Sequence, residues 1–249
     1  MHKKYLQVAL LSLLTSGMLV SCGDVKKTDE TQDPNHNMPL PAQEIVPLTI
    51  TLGEASKFTV LAGSEVSSTE ASVITGTVGI SPGNSLKGFP PGVINGEKHI
   101  GDAKDAQKDL AAAFKAGNEM TSPTIVTLKD NLGNLALVPG LYKAETSLEL
   151  SSGDLTFDAK GDSNSIFVVQ IPASLTVSPG SKMILQNGAL PKNIYWLIGS
   201  SVNLDSTSVA KGIFIAEESI ILKRGAALQG KALSKTGSVQ LQGSSIVAP

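Results

Sequence analysis

The stretch SIILKRGAALQGKALSKTGSVQL, residues 219–241, contains an apolar-x-apolar triplet at each end. The same triplet recurs along the chain at steps of 18 or 19 residues, as Met183/Leu185, Val202/Leu204, Ile220/Leu222 and Val239/Leu241. A repeat of this length is too short for a propeller blade or a helical hairpin. It predicts a β-solenoid, in which each coil contributes about three short strands.

Alternation within a strand sends the two apolar residues of each triplet into the core and the middle residue outward. In stacked coils, equivalent residues lie about 4.8 Å apart along the axis. A second series supports this interpretation, because eight residues beyond Leu185, Leu204 and Leu222 the chain enters a more buried strand each time. Replacement of Leu222 by Asp is therefore expected to unfold or fray the stack.

Composition and charge restrict the function. The 249 residues carry a net charge of −2, which predicts no nucleic-acid partner, and Arg224 is the only arginine. Few aromatic residues and many Gly, Ser, Thr, Val, Ile and Leu are typical of short strands joined by tight turns.

The N-terminus is predicted to direct export. Residues 1–21 have a basic start followed by an apolar run and small residues, which indicates a lipoprotein signal peptide. Cys22 follows Leu-Val-Ser, a sequence that resembles the bacterial lipobox, so this cysteine is expected to be lipidated and to anchor the protein to a membrane of the cell envelope. The polar residues 22–45 are expected to form a disordered tether, and residues 46–249 the folded domain. As the only cysteine, Cys22 excludes an intrachain disulfide.

Two segments of the domain depart from the strand pattern. Residues 81–101 are rich in Pro and Gly and are expected to form a surface excursion. Residues 103–116 are predicted to form an amphipathic helix with Asp102 as N-cap and Gly117 as C-cap. Its apolar stripe is expected to lie against a sheet and comprises Ala103, Ala106, Leu110, Ala113 and Phe114.

Catalysis and metal binding are not predicted. The acidic residues are scattered, and neither a nucleophile elbow nor a phosphate-binding loop is present. His99 stands in a Gly/Pro-rich segment without a second histidine or a cysteine nearby, so we predict no metal site and no cofactor.

Five ordered motifs then suggest a family. They are SVITGTVGISPG (72–83), LVPGLYK (137–143), SIFVVQIPASLTVSPG (165–180), KNIYWLI (192–198) and GIFIAEESIIL (212–222), with the helix between the first and the second. Together they resemble the ice-binding protein family of bacteria and fungi. The resemblance implies a mainly β fold: a discontinuous, right-handed β-helix of triangular section, with one long α-helix alongside and N-terminal strands inserted among later coils.

The resemblance also implies ice as the partner. In this family a flat β face often carries rows of the type Thr-Ala/Gly-x-Thr/Asn, with x pointing inward. Such a rigid face can hold surface water in an ice-like arrangement, and many weak contacts act together. The residues assigned to this face are Ser72, Thr75, Thr176, Ser200, Ser201, Asn203, Ser219, Ile221, Ser238 and Gln240, and the outward row also includes Ile184.

The motif match is mixed, because Ser often replaces Thr and two charged residues, Lys182 and Glu218, lie at the rim. A non-enzymatic cell-surface adhesion or binding module with the same fold and no affinity for ice is therefore the alternative. The sequence makes no prediction of the oligomeric state.

Overall fold

In a computed structural model, residues 48–249 are described, and they contain short parallel strands and one α-helix. There are also two short 3-10 helices, Gly53–Lys57 before the first strand and Pro191–Asn193 between two later strands. In chain order the elements are β1 (Val60–Ala62), β2 (Glu65–Ser68), β3 (Val73–Thr75), β4 (Val78–Ile80), β5 (Ser85–Lys87), β6 (Val93–Asn95), β7 (Lys98–Ile100), α1 (Lys104–Asn118), β8 (Val126–Leu128), β9 (Ala136–Leu137), β10 (Gly140–Ala144), β11 (Leu148–Leu150), β12 (Leu155–Asp158), β13 (Phe167–Ile171), β14 (Leu175–Val177), β15 (Met183–Gln186), β16 (Ile194–Ile198), β17 (Val202–Leu204), β18 (Val209–Ala216), β19 (Ile220–Leu222), β20 (Ala227–Ser234), β21 (Val239–Leu241) and β22 (Ser245–Val247).

The strands form three faces of a coil, and successive strands of the chain pass from one face to the next. We call them the helix face (β8, β10, β13, β16, the second halves of β18 and β20, β1, β4 and β7), the serine face (β11, β14, β17, β19, β21, β2 and β5) and the third face (β9, β12, β15, the first halves of β18 and β20, β22, β3 and β6). All strand pairs are parallel, as stacked coils require. The prediction of a mainly β solenoid is confirmed.

The stack is discontinuous along the chain. The last C-terminal coil, β20 to β22, pairs with the first N-terminal strands, as in Val60–Ala232, Val66–Val239 and Val73–Ser245. The N-terminal strands therefore continue the stack beyond the last coil. The expectation that they are inserted among later coils is wrong in this respect.

The core ladder on the serine face matches the repeat in part. Val202/Leu204, Ile220/Leu222 and Val239/Leu241 are fully buried and stack in register, as predicted. The extension to Met183/Leu185 is wrong, because these residues belong to β15 on the third face. The true predecessor of Val202 is Leu175, 27 positions earlier. The longer coil includes residues 187–193 between β15 and β16.

Helix α1 covers the helix face. The predicted stripe is confirmed, since Ala103, Ala106, Leu110 and Ala113 are buried against outward apolar residues of that sheet, and Phe114 is partly buried. The predicted caps are wrong. The N-cap is Ala103 and makes no side-chain capping bond, and the helix continues past Gly117 to Asn118.

Gly117 is instead a packing residue. An added Cβ atom would lie 2.6 Å from a methyl group of Leu197, so a larger residue here would require the Leu197 side chain to move. The carbonyl of Gly117 also accepts a hydrogen bond from Nε2 of Gln170, at 2.8 Å.

Residues 81–101 do not form a surface excursion. They contain β5, β6 and β7, which contribute one strand to each of the three faces. Their Pro and Gly residues lie mostly at the corners between these short strands. A composition that excludes long strands is therefore compatible with a complete solenoid coil.

Candidate functional site

A column of serines runs along the serine face. The position just before the first core residue of each strand is serine in six of seven strands and Glu65 in the seventh. In stacking order this column is Ser147, Ser174, Ser201, Ser219, Ser238, Glu65 and Ser85. The hydroxyls of Ser147 and Ser174 lie 3.0 Å apart, and those of Ser219 and Ser238 lie 3.2 Å apart. Neighbouring strands therefore place these side chains on the same surface.

A second outward column lies two residues further along each strand. In stacking order it reads Glu149, Thr176, Asn203, Ile221, Gln240, Ser67 and Lys87. Charged residues occupy its two ends, and its centre is uncharged. In β14, β17, β19 and β21 the two columns together present eight hydroxyl, amide or methyl-bearing side chains. These four strands span about 14 Å at a spacing of ~4.8 Å.

One carboxylate touches the edge of this centre. Oε2 of Glu218 accepts hydrogen bonds from the hydroxyls of Ser200, at 2.8 Å, and Ser201, at 3.0 Å. These two bonds, the one from Ser200 first, lower the pKa of Glu218 below its ordinary value. The two hydroxyl protons are therefore directed at a charged group.

Asn203 is held firmly in the second column. Its Nδ2 donates to Oδ1 of Asp205 at 3.2 Å, and Asp205 is paired with Lys223. Its Oδ1 is covered and receives no hydrogen bond from any residue between 48 and 249. The amide is therefore fixed between Thr176 and Ile221, and only part of it faces outward.

The structure separates the residues assigned from the sequence. Eight of them lie on or beside the serine face: Thr176, Ser200, Ser201, Asn203, Ser219, Ile221, Ser238 and Gln240. Ser72 and Thr75 do not join them, because β3 belongs to the third face. There Ser72 is fully buried at a corner and Thr75 is exposed. Ile184 also lies on the third face, in β15.

Four residues of the serine face were missed: Ser67, Ser85, Ser147 and Ser174. The signal was present in the tetrapeptides NSLK, TSLE and ASLT, which repeat the small–apolar–polar pattern of SSVN at residues 200–203, and in SEVS, where Glu65 replaces the small residue. It was hidden because the coil length changes from 27 residues to 18 and 19, so a fixed step does not reach them.

Trp196 and His99 have structural partners. Trp196 is fully buried, stacks on Phe214 with ring centres 5.6 Å apart, and donates to the carbonyl of Lys211. His99 packs edge-on against Phe58. Within residues 48–249, no three His, Cys, Asp or Glu side chains are grouped so that they could hold a metal ion.

The N-terminal predictions lie outside the described residues. They concern the signal peptide, Cys22 and the tether up to residue 45. Among residues 48–249, none of the helices has the length and apolar character needed to span a bilayer.

Comparisons with known proteins place the chain in a family. A sequence model described as "Ice-binding-like" matches residues 60–247. An ice-binding protein of Nostoc sp. strain HG1 is 40% identical over 197 residues, which cover 76% of this chain and 71% of that protein. The crystal structure of an ice-binding protein from an Antarctic biological consortium superposes with a TM-score of 0.83 at 47% identity, covering 85% of this chain and 96% of that one. The crystal structure of an ice-binding protein from the Antarctic ascomycete Antarctomyces psychrotrophicus superposes with a TM-score of 0.76 at 34% identity, covering 80% of this chain and 98% of that one. This chain therefore belongs to the ice-binding-like family.

Proposed function

We propose that the protein adsorbs to ice through the centre of the serine face. Adsorption would inhibit ice growth or recrystallisation, or dock the cell to ice. The observation that carries this proposal is the uncharged block of small polar and methyl-bearing side chains on four parallel strands in register. The relatives named as ice-binding proteins support it.

The rigidity of the serine face favours adsorption to ice. Val202, Ile220 and Val239 are buried beneath it and paired strand to strand, so the outward side chains keep their spacing. A surface that already holds its groups in place loses little conformational entropy when it meets the crystal. Many weak contacts, each to one ordered water molecule, then act together.

Charges limit the strength of adsorption. Glu149 lies at one end of the second column, Lys87 at the other, and Glu65 interrupts the serine column. Charged groups bind liquid water strongly and are poorly matched to a flat ice surface. Serine also lacks the methyl group of threonine and is freer at χ1. We therefore expect moderate activity. The same charges favour the alternative, a non-enzymatic adhesion or binding module without ice affinity.

Ice assays on purified residues 46–249 test the proposal. We expect thermal hysteresis and inhibition of recrystallisation, and we expect Asn203→Tyr to abolish both without lowering the melting temperature. The bulky ring would lift the face off the crystal. The matched control is Ala111→Tyr on the exposed side of α1, which should keep full activity. A parent protein that is inactive at high concentration would favour the adhesion module. Full activity of Asn203→Tyr would mean that ice binds elsewhere.

We also propose that the protein is exported and anchored by a lipid on Cys22. The basic start, the apolar run and the lipobox-like sequence of residues 1–22 support this proposal. The tether up to residue 45 would then hold the serine face away from the membrane. Cys22→Ser should move the protein from the membrane fraction to the soluble fraction, whereas Ser21→Ala, which keeps the cysteine, should not. We expect no catalytic activity and no cofactor.

A further inference from the structure

The third face exposes apolar side chains. Among residues 48–249, five large apolar side chains are exposed, and four of them lie on this face: Val93 (49%), Val247 (46%), Val73 (39%) and Ile184 (36%). Three of the four belong to the adjacent strands β22, β3 and β6, and β6 is the terminal strand of the face. Exposed apolar groups that are concentrated in this way commonly mark an interaction surface.

These residues form a regular array. Two outward columns run in register along the first half of β20 and then along β22, β3 and β6. We call them the valine patch, which comprises Ala227, Ser245, Val73 and Val93 in one column and Gln229, Val247, Thr75 and Asn95 in the other. None of these eight side chains is charged, and six of the eight residues are exposed.

Packing within one copy does not require this composition. The core beneath the patch is supplied by other residues, Leu228, Ile246 and Ile74, which are buried. On the helix face, the outward apolar residues are covered by α1 and the segment before it. No element among residues 48–249 covers the valine patch in this way. At a terminal strand proteins usually expose charges, lysine above all, to prevent association, and the patch lacks them.

The first column of the patch is complementary to itself. A second copy can be placed on it by a half-turn about an axis that runs parallel to the strands, midway between β22 and β3. This operation reverses the order of the strands and makes each column face the same column of the other copy. Ala227 then faces Val93 of the second copy, and Ser245 faces Val73. A small side chain therefore meets a larger one in every pair, as close packing of two surfaces requires.

The second column fits the same arrangement. Val247 faces Thr75 of the second copy, and Gln229 faces Asn95, so that methyl groups meet and amides meet. The Nζ atom of Lys211 donates to Oε1 of Gln229, which leaves Nε2 of Gln229 to donate across the contact. Lys211 itself lies in β18, one strand beyond the patch. Because β6 ends the face of the opposite copy, this charge is not buried.

The axis also determines where the other faces of the two copies lie. The chain enters the third face from the serine face and leaves it for the helix face, as from β2 through β3 to β4. A half-turn about an axis parallel to the strands keeps the direction of the strands. Both serine faces therefore lie on one side of the pair, and both helix faces lie on the other. Leu48, at which the described part of the chain begins, is buried on the helix face.

We propose that the valine patch joins two copies of this protein face to face, as a weak symmetric dimer. The eight side chains cover roughly 14 Å by ~7 Å, which is far less than the ~800 Å² that each partner buries in a stable interface. The dimer is therefore weak in dilute solution, and a lipid anchor would favour it by raising the effective concentration of the copies. Only its use rests on the proposed function: both serine faces are presented to ice on the side away from the two Leu48 residues.

A different protein fits the patch less well than a second copy does. Aromatic residues and arginine most often anchor an unrelated partner, and the patch contains neither. The patch also offers no charge by which it could select a partner of opposite charge. Its specific feature is the order of small and larger side chains along the strands, and the same surface in reverse order matches it.

Sedimentation equilibrium tests the inference on three proteins, each comprising residues 22–249 with Cys22→Ser: the parent, Val73→Lys and Ile184→Lys. Val73→Lys places a charge at the centre of the patch. Ile184→Lys is the matched control, because it makes a similar change on the same face, in β15, outside the contact. Between ~20 μM and ~1 mM, the range expected for so small an interface, the parent and Ile184→Lys should change from monomer to dimer. Val73→Lys should stay a monomer, and melting temperatures verify that all three are folded.

Cross-linking tests the geometry of the pair. The parent with Cys22→Ser contains no thiol, so Ala227→Cys and Val93→Cys each introduce a single one. In the dimer these two positions face each other, whereas the two copies of either position lie three strands, about 14 Å, apart along the stack. A bismaleimide with a spacer of ~8 Å suits sheets packed ~10 Å apart. It should link a mixture of the two variants and give little product with either variant alone.

The outcomes distinguish this inference from the proposed function. A parent that is still a monomer at ~1 mM would overturn the inference, and so would a Val73→Lys variant that associates as the parent does. Equal cross-linking of the mixture and of the single variants would show that the copies meet through another surface, which also overturns it. A parent that dimerises as expected but does not bind ice would support this inference and contradict the proposed function.

Discussion

Glu218 lies at the edge of the serine face, and its replacement should increase ice-binding activity. Its carboxylate accepts hydrogen bonds from Ser200 and Ser201, so these hydroxyls are directed at a charge and are less available to ordered water. Replacement by Ala removes the charge and releases both hydroxyls. We expect Glu218→Ala to raise thermal hysteresis. The melting temperature of Glu218→Ala should stay close to that of the parent protein, as is usual for an exposed substitution.

The control for this prediction removes the same charge elsewhere. Glu119 is exposed just after α1 and makes a long contact, 3.8 Å, with Lys115. Glu119→Ala should leave thermal hysteresis unchanged. Equal or lower activity in Glu218→Ala would show that the carboxylate helps to order the surface and that our account of the two serines is wrong.

At the residue scale, the sequence predicts chemistry better than location. Thr176 and Asn203 were assigned to the same face, and the strand register places them side by side. Ser72 and Thr75 fit a similar tetrapeptide, yet they lie on the third face. A four-residue pattern states which side chain of a strand points outward. It does not state which of three faces the strand joins, because that depends on the number of residues in the preceding corners.

Two glycines allow a single strand to turn a corner. β18 and β20 each run from the third face to the helix face without a loop, and the bend falls at Gly212 and Gly230, both with positive φ. The two residues are paired across the strands. A Cβ atom on Gly230 would lie 1.7 Å from the carbonyl oxygen of Gly212. Backbone atoms cannot move aside as a flexible side chain can.

Gly230→Ala should therefore destabilise the protein strongly. A control separates the clash from the cost of positive φ. Gly161 has φ of 91°, and a Cβ atom added there would meet no atom within 4 Å, so Gly161→Ala should cost only about 1–2 kcal/mol for the left-handed backbone. Gly230→Ala should lower the free energy of unfolding by a further ~1–3 kcal/mol because of overpacking. Its denaturation midpoint should therefore lie below that of Gly161→Ala. Equal midpoints would show that the coil relaxes around the methyl group.

At the element scale, residue periodicity predicted the buried side of α1, but it did not predict the ends of the helix or the short strands of residues 81–101. The α1 stripe was predicted because helical spacing depends only on nearby residues. Its ends were not, since Gly117 serves contact with Leu197, a residue distant in sequence. The prediction for residues 81–101 is wrong for a related reason. Three-residue strands separated by Pro and Gly carry too little alternation to be distinguished from a loop.

At the scale of the whole molecule, the order of the coils was not readable from the residues themselves. Discontinuity was expected from the family resemblance alone, and even then the position of the N-terminal strands was wrong. The reason is physical. The ladder residues Val66 and Val239 are chemically equivalent, and parallel stacking accepts either as a neighbour. Stacking order depends on where the chain crosses between the two ends, and this crossing is made by α1, between β7 and β8.

This topology makes the C-terminal strand β22 important for stability. β22 lies between β20 and β3, so the last strand of the chain is internal to the third face. Deletion of residues 245–249 should remove the buried Ile246, at about 1.5–3 kcal/mol, and leave the facing backbone groups of both neighbours unpaired. We expect the melting temperature to fall by at least ~6 °C, corresponding to roughly 3 kcal/mol or more. Deletion of Ala248 and Pro249 alone, both exposed, removes one 3.3 Å backbone hydrogen bond and should lower it far less. In a continuous solenoid, either deletion would only fray an end. A small shift for the longer deletion would therefore show that the N-terminal coils are not stacked on β22.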